Sequence, residues 1–288
     1  MLARHAVLVK SPGATPSSSR MRLWQASGGA TVASEWIRVS DARQCRWIEI
    51  DRVDKRNALA VAMLEALIDA YTNVPAGTRL ICLAAAGDQT FCAGADVGEL
   101  RASPAAAHQQ EHGLNALAAA IEAAPAPTAC LTFGKVLGGA LLLPCLSDVV
   151  LARADTLFKL TEIEFGAYPA PVHAALAPRI PAQLLYQMAI SGRGLDATGA
   201  ASLGLVTEVL PVDNFAAAAR DRTAWYARRG GALRLGRKVR GLGFAGSALE
   251  RIALVEDDFA TLFQSDEVRE LLAERFPAKP ATVSTSGS

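Results

Sequence analysis

The sequence predicts an α/β fold, and three observations carry that prediction. Short strand-like runs take turns with longer segments of helical period. Runs such as RLICLAAAG are apolar almost throughout, as strands buried on both faces are. From about residue 211 to 276 no strand pattern occurs, so a helical region follows the alternating core. With 288 residues and 51% hydrophobic content, the chain suits one large domain, or one domain with a small appendix.

Taken in order, residues 1–33 are rich in Ser, Pro, Gly and Ala, hold no sustained period and read as a disordered tail, with Met21 a candidate start. EWIRVS and RWIEID alternate apolar with polar residues and read as a hairpin around DARQC. NALAVAMLEALIDAYTNV puts Leu59, Met63, Leu64, Leu67, Ile68 and Tyr71 on one helical face, with Asn57 as the expected N-cap. RLICLAAAG is a strand, residues 104–123 an Ala-rich helix, and TACLTFG the next strand. The segment after Gly138 starts a helix, and DVVLAR and TLFKLTEIEF give two more strands. DATGAASLG is a short helix capped by Asp196 and Gly204. The expected organisation is a core over 34–210, a helical region over 211–277 and a second tail over 278–288, with no internal repeat.

Bulk properties exclude several classes. A net charge of +1 and a pI near 7.7 give no electrostatic footprint for nucleic acid or an acidic membrane. The five cysteines are odd in number, scattered and without a CxxC pair, which predicts buried free thiols in a reducing compartment. The amino-terminal apolar run is too brief for a signal-peptide core, and no stretch is long enough to span a bilayer. A soluble, cytoplasmic protein is the expectation.

Four stretches carry potential chemistry. In FCAGADVGEL, Ala93, Gly94 and Ala95 let the backbone approach a ligand with amide hydrogens exposed; a tight turn before a helix capped by Asp96 is the plainer reading of the composition alone. In LGGALLL, Gly138 and Gly139 would open a helix with unpaired amides, or serve only close packing. This is not a dinucleotide fingerprint, and Pro144 should forfeit a hydrogen bond and kink the helix. Glu162 and Glu164, two apart in FKLTEIEFG, would share one face of a strand, either solvated or catalytic. HQQEH matches a zinc-peptidase pattern through His108, Glu111 and His112, which would make the protein a zinc hydrolase. Catalytic zinc needs a third ligand, and an exposed polar helix face is the competing reading.

In their order, DRVDKRNAL, FCAGAD, GKVLGGALLLPCLSD, FKLTEIEFGAYPA and ISGRGLDATGAASLGLVTEVLP resemble the motifs of the crotonase (enoyl-CoA hydratase/isomerase) superfamily. The resemblance covers roughly residues 36–277, since FATLFQSDEVRELLAERFP is similar to the family's closing helices. It implies a spiral of ββα turns and a C-terminal helical oligomerisation region that builds a trimer or a hexamer of two trimers. It also implies an acyl thioester substrate, on coenzyme A or on the phosphopantetheine of an acyl carrier protein, with no separate cofactor and no metal. The backbone amides of Ala95 and Gly139 would then form an oxyanion hole, with Ala93, Asp96, Gly138 and Leu142 lining the substrate. Arg56, Asn57, Ala58 and Leu59 would follow the pantetheine, or merely cap a helix, and Lys55 and Arg56 would meet a phosphate. Tyr168, Pro169 and His173 would enter the acyl pocket.

Against the two-glutamate hydratases, the first glutamate's place falls on Leu142 and the second's on Glu162. One carboxylate suffices to dehydrate a 3-hydroxyacyl thioester. GKV before the glycines, Thr161 before Glu162 and GAYPAPV after it are similar to dehydratases of polyketide β-branching, which act on a 3-hydroxy-3-methylglutaryl group held by a carrier protein. The alternatives are a 3-enoyl to 2-enoyl thioester isomerase and a non-catalytic acyl-carrier-binding protein.

Overall fold

Strand β2 (Ile37–Ala42) turns back on β3 (Cys45–Ile50) in antiparallel register, as the alternating pattern predicts. The two turn residues, Arg43 and Gln44, have φ of 50° and 63°. That left-handed pair matches the right-handed twist of the flanking strands. The computed structural model describes residues 31–243 and 246–277. The tails expected over 1–30 and 278–288 lie outside the described residues. Strand β1 (Thr31–Ser34) begins inside the segment that composition assigns to the first tail, because it pairs with β2.

The larger sheet has seven strands in the order β1-β2-β3-β4-β6-β8-β11, with β4 Leu80–Ala85, β6 Thr128–Thr132, β8 Val149–Arg153 and β11 Glu208–Leu210. From β3 onward every pairing is parallel. Strands β3, β4, β6 and β8 are buried along their whole length, which explains the unbroken apolar run LICLAA of β4. The smaller sheet runs β10-β9-β7-β5, from β5 (Thr90–Cys92), β7 (Lys135–Leu137), β9 (Leu157–Lys159) and β10 (Leu195–Asp196). Each spiral turn gives one long strand to the first sheet and one short strand to the second: β4 with β5, β6 with β7, β8 with β9. Helix α1 (Val61–Thr72) lies between β3 and β4, and α2 (Val97–Ala102) and α3 (Pro104–Glu122) between β5 and β6. Tyr71, Phe91, Phe133, Phe158 and Phe215 fill the core, and the Phe91 and Phe133 rings meet edge to face at 6.1 Å.

Three local expectations need correction. Asn57 is not an N-cap; Ala60 precedes α1, and Asn57 sits in a left-handed conformation with φ 55°. Its buried carboxamide instead accepts from the Arg52 N–H (2.9 Å) and donates to the carbonyls of Ala86 (2.9 Å) and Thr90 (3.2 Å). Glu162 and Glu164 are not on a strand. Strand β9 stops at Lys159, whose partner Leu137 is the last residue of β7, and Glu162–Phe165 forms a 3-10 turn closed by Gly166 at φ 80°. Pro144 produces no lost bond. Gly138–Leu141 is a 3-10 turn, and α4 begins only at Leu142 (Leu142–Leu146), so Pro144 lies in a first turn whose amides have no helical partner.

After β9 come α5 (Ala170–Leu176), α6 (Ala182–Ser191) and α7 (Ala197–Ser202). The helices beyond β11 are α8 (Phe215–Ala227), α9 (Gly230–Gly241), α10 (Ala248–Ala253), α11 (Glu256–Phe263) and α12 (Asp266–Arg275). Asp148 fastens α9 to the core. Its carboxylate accepts from the Thr128 N–H (2.8 Å) and from the guanidinium groups of Arg237 and Arg240 (3.0 and 2.9 Å). Burial pushes the Asp148 pKa up, but the Arg237 contacts outweigh it and hold the carboxyl below the usual range. Large apolar side chains stay exposed on α10 to α12, among them Leu249, Ile252, Phe259 and Phe263. No helix among the described residues is long and apolar enough to cross a membrane, and all five cysteines are free and buried.

Candidate active site

The loop after β5 lies alongside the KRNAL segment as a short ladder. The Ala93 N–H donates to the Arg56 carbonyl (3.0 Å), Leu59 N–H to the Gly94 carbonyl (2.8 Å) and Asp96 N–H to the Leu59 carbonyl (2.9 Å). The last two bonds straddle Ala95, which turns its own N–H away from Leu59. Gly94 has φ 89°, and a Cβ there would stand 2.8 Å from the Leu137 carbonyl oxygen and 3.3 Å from the Gly139 nitrogen. The two small-residue loops therefore touch backbone to backbone, an approach only glycine permits. Gly139 is the second residue of its 3-10 turn, so its N–H has no partner within the turn.

Glu162 lies against the same glycines. Gly138 has φ 53°, and a Cβ there would fall 2.9 Å from Glu162 Oε1 and 3.2 Å from Thr161 Oγ1. Glu162 is half-buried, and its Oε2 is enclosed without a hydrogen-bond partner. Burial raises its pKa above the ordinary glutamate value, only partly offset by backbone amides at Glu162 and Thr161. Glu164 is exposed and bound to Lys159 (2.6 Å), so it takes no part. Leu142, 5% exposed, is a buried apolar side chain at the start of α4. A carboxylate in this setting can carry a proton to and from a carbon beside a group held by the loop amides.

The other expected residues divide. Asp96 caps α2 by accepting from the Gly98 N–H (2.8 Å) and takes the Arg52 guanidinium at 2.6 Å, so its carboxylate is committed to holding the loop. Leu59 and Asn57 are buried, Ala58 is half-buried, and the Lys55 and Arg56 side chains are exposed. Pro169 is buried at the start of α5, a helix that packs on the Gly138–Leu141 turn. Tyr168 is 44% exposed and shares a hydrogen bond with His173 Nδ1 (2.7 Å). His173 itself is half-buried on α5. His108, Glu111 and His112 are all exposed on α3, and no group of three His, Cys, Asp or Glu among the described residues could hold a metal.

Two residues have no counterpart in the sequence-derived set. Arg52 bridges the Ala58 carbonyl (3.0 Å) and Asp96 while lying 4.7 Å from the centre of the Trp36 ring. Gln110, at the centre of HQQEH, is 1% exposed and donates to the Leu59 carbonyl at 2.8 Å. Both lie inside quoted stretches, DRVDKRNAL and HQQEH, but their roles are set by partners 44 and 51 residues away.

Comparison with known proteins follows the same geometry. A family model described as enoyl-CoA hydratase/isomerase matches residues 43–239. The 2,3-dehydroadipyl-CoA hydratase of Escherichia coli (strain K12) is 30% identical over 177 residues, spanning 61% of this chain and 69% of that protein. Bacillaene synthase dehydratase PksH of Bacillus subtilis (strain 168) is 24% identical over 178 residues, with 61% and 69% covered. The match spans 22% of the length of one longer fungal relative. Among solved structures, an enoyl-CoA hydratase from Bacillus anthracis superposes with a TM-score of 0.74 at 25% identity, over 84% of this chain and 96% of that one. By the matched residues, the spiral of short and long strands and the two touching glycine loops, the chain belongs to the enoyl-CoA hydratase/isomerase family.

Proposed function

We propose that the protein removes the elements of water from a 3-hydroxyacyl thioester, held on coenzyme A or on the pantetheine of a carrier protein. The Ala95 and Gly139 amides receive the thioester oxygen. As the C2–H bond breaks, negative charge gathers on that oxygen, and two preorganised donors each contribute about 3–4 kcal/mol to stabilising it. Glu162 takes the C2 proton and returns it to the departing C3 oxygen, so C2=C3 forms, C3–O breaks and water leaves.

One observation carries this reading: Glu162 lies against Gly138, half-buried, with Oε2 unpartnered and a raised pKa. A carboxylate so placed is a ready base, and Leu142 leaves it without a second acid. The partial likeness to a dehydratase of bacillaene synthesis supports elimination and a carrier-bound substrate. The apolar residues exposed on α10 to α12 support self-association through the C-terminal helices.

The test offers purified protein 3-hydroxybutyryl and 3-hydroxy-3-methylglutaryl groups on coenzyme A and on a carrier protein, alongside 3-enoyl thioesters, with products followed by mass spectrometry. Loss of 18 mass units from a 3-hydroxyacyl group is the expected result. Turnover confined to the 3-enoyl substrates would replace dehydration by double-bond isomerisation. Binding of acylated carrier with no conversion of any substrate would leave only a carrier-binding role.

A further inference from the structure

The HQQEH segment of α3 carries chemistry at a residue its histidines hide. Gln110 faces inward while His108, Glu111 and His112 face solvent. Its amide nitrogen donates to the Leu59 carbonyl at 2.8 Å, and its Oε1 is enclosed without a hydrogen-bond partner. The amide orientation follows from that bond: turned over, it would set two carbonyl oxygens against each other and leave the NH₂ unpaired. A buried acceptor with no donor carries a desolvation penalty, which an arriving donor would relieve.

The surroundings say what would arrive. Leu59, which Gln110 holds, is the bridge partner of Ala95, so the amide lies one residue's breadth from the first glycine loop. One helical turn further on, Leu114 Cδ1 stands 3.7 Å from where a Cβ on Gly139 would be. Helix α3 therefore spans from one loop to the other, with Gln110 at the Ala95 end. It reaches this deep because Gly113 leaves room for Leu64 of α1, 2.7 Å from a notional Cβ. Two of the buried side-chain oxygens without a hydrogen-bond partner among the described residues belong to residues that touch these loops or their partner strand: Gln110, through the Leu59 carbonyl, and Glu162, against Gly138.

We infer that Gln110 is a specificity-determining residue of this site, whose free carbonyl oxygen accepts a hydrogen bond from a hydroxyl on the acyl chain and so selects hydroxylated thioesters over unsubstituted ones. The inference rests on the thioester reading above. A thioester oxygen cannot satisfy Oε1, and neither can an ionised carboxylate, because both are acceptors; a hydroxyl can. Being neutral, the carboxamide recognises that hydroxyl without adding a charge to the site.

The experiment compares binding of 3-hydroxybutyryl-CoA and butyryl-CoA to the full chain and to Gln110→Met, which keeps the side chain's length and removes both polar atoms. Wild type is expected to favour the hydroxylated thioester by about tenfold, the worth of one such hydrogen bond. Gln110→Met should lose that preference, with 3-hydroxybutyryl-CoA weakened about tenfold more than butyryl-CoA. If the methionine variant does not fold, Gln110→Asn, which withdraws the carbonyl by one methylene, should lose the preference likewise. Equal weakening of both ligands would reduce Gln110 to a pin holding the Leu59 carbonyl, and a wild type without preference would also overturn the inference. Failure of wild type to bind either thioester would instead sink the thioester reading itself.

Discussion

Replacing Glu162 by Gln is expected to lower kcat/KM by about 10²- to 10⁴-fold, the usual contribution of a positioned proton-transfer group. The glutamine keeps the size of the side chain against Gly138 and removes only its capacity to take a proton. The pH profile supplies the sign. Burial raises the Glu162 pKa, so the active, ionised form is lost on acidification at a higher pH than for an ordinary glutamate, and the acid limb of the wild-type profile should lie above the usual carboxylate value. Stability should respond in the opposite sense. A carboxyl whose folded-state pKa is raised binds its proton more tightly in the native than in the unfolded chain. Its contribution therefore declines as pH rises from the unfolded to the folded pKa, and Glu162→Gln should melt at or above the wild-type temperature at neutral pH. Loss of activity together with a lowered Tm would point to structural damage instead.

The second large effect is expected at Gly94. An alanine there would hold a left-handed conformation at φ 89° and press its Cβ to 2.8 Å from the Leu137 carbonyl oxygen, which is backbone and cannot rotate away. The Ala95 and Gly139 loops must then part. Misplacing one donor of an oxyanion hole costs about 10²- to 10³-fold in kcat. Gly77→Ala separates that effect from simple backbone strain, since Gly77 has φ 82° with nothing within 4 Å of a Cβ. Both variants should lose roughly 1–2 kcal/mol to the left-handed conformation, read as a lowered Tm, but Gly94→Ala alone should lose turnover. Equal activity in the two would mean that the loops need not touch.

Much of this site was legible because main-chain chemistry marks a sequence with small residues. Gly94 and Gly138, with φ of 89° and 53°, stand where a Cβ would strike the Leu137 carbonyl and the Glu162 carboxylate respectively. Glu162 was legible as a residue but not in its setting. Alternation in FKLTEIEF suggests a strand, yet strand pairing depends on a neighbour, and β7 ends at Leu137. Asn57 shows the same limit. Its type and place suit a helix cap, whereas its partners, Ala86 and Thr90, lie 29 and 33 residues away. HQQEH drew attention through its histidines, while burial selects Gln110, which sequence alone does not single out because its partner Leu59 is 51 residues distant. Arg52 and Asp148 likewise owe their roles to contacts made only on folding. The sheet strands were simpler to read, since burial on both faces writes itself as an unbroken apolar run.

Proton exchange at C2 isolates the central chemistry from any particular leaving group. Wild-type protein incubated with butyryl-CoA in D₂O should place deuterium at C2 of the acyl chain, and Glu162→Gln should slow that exchange by at least about 10²-fold. A protein that binds the thioester yet exchanges nothing, or exchange that proceeds undiminished without the Glu162 carboxylate, would contradict enolate formation by these loops and this acid.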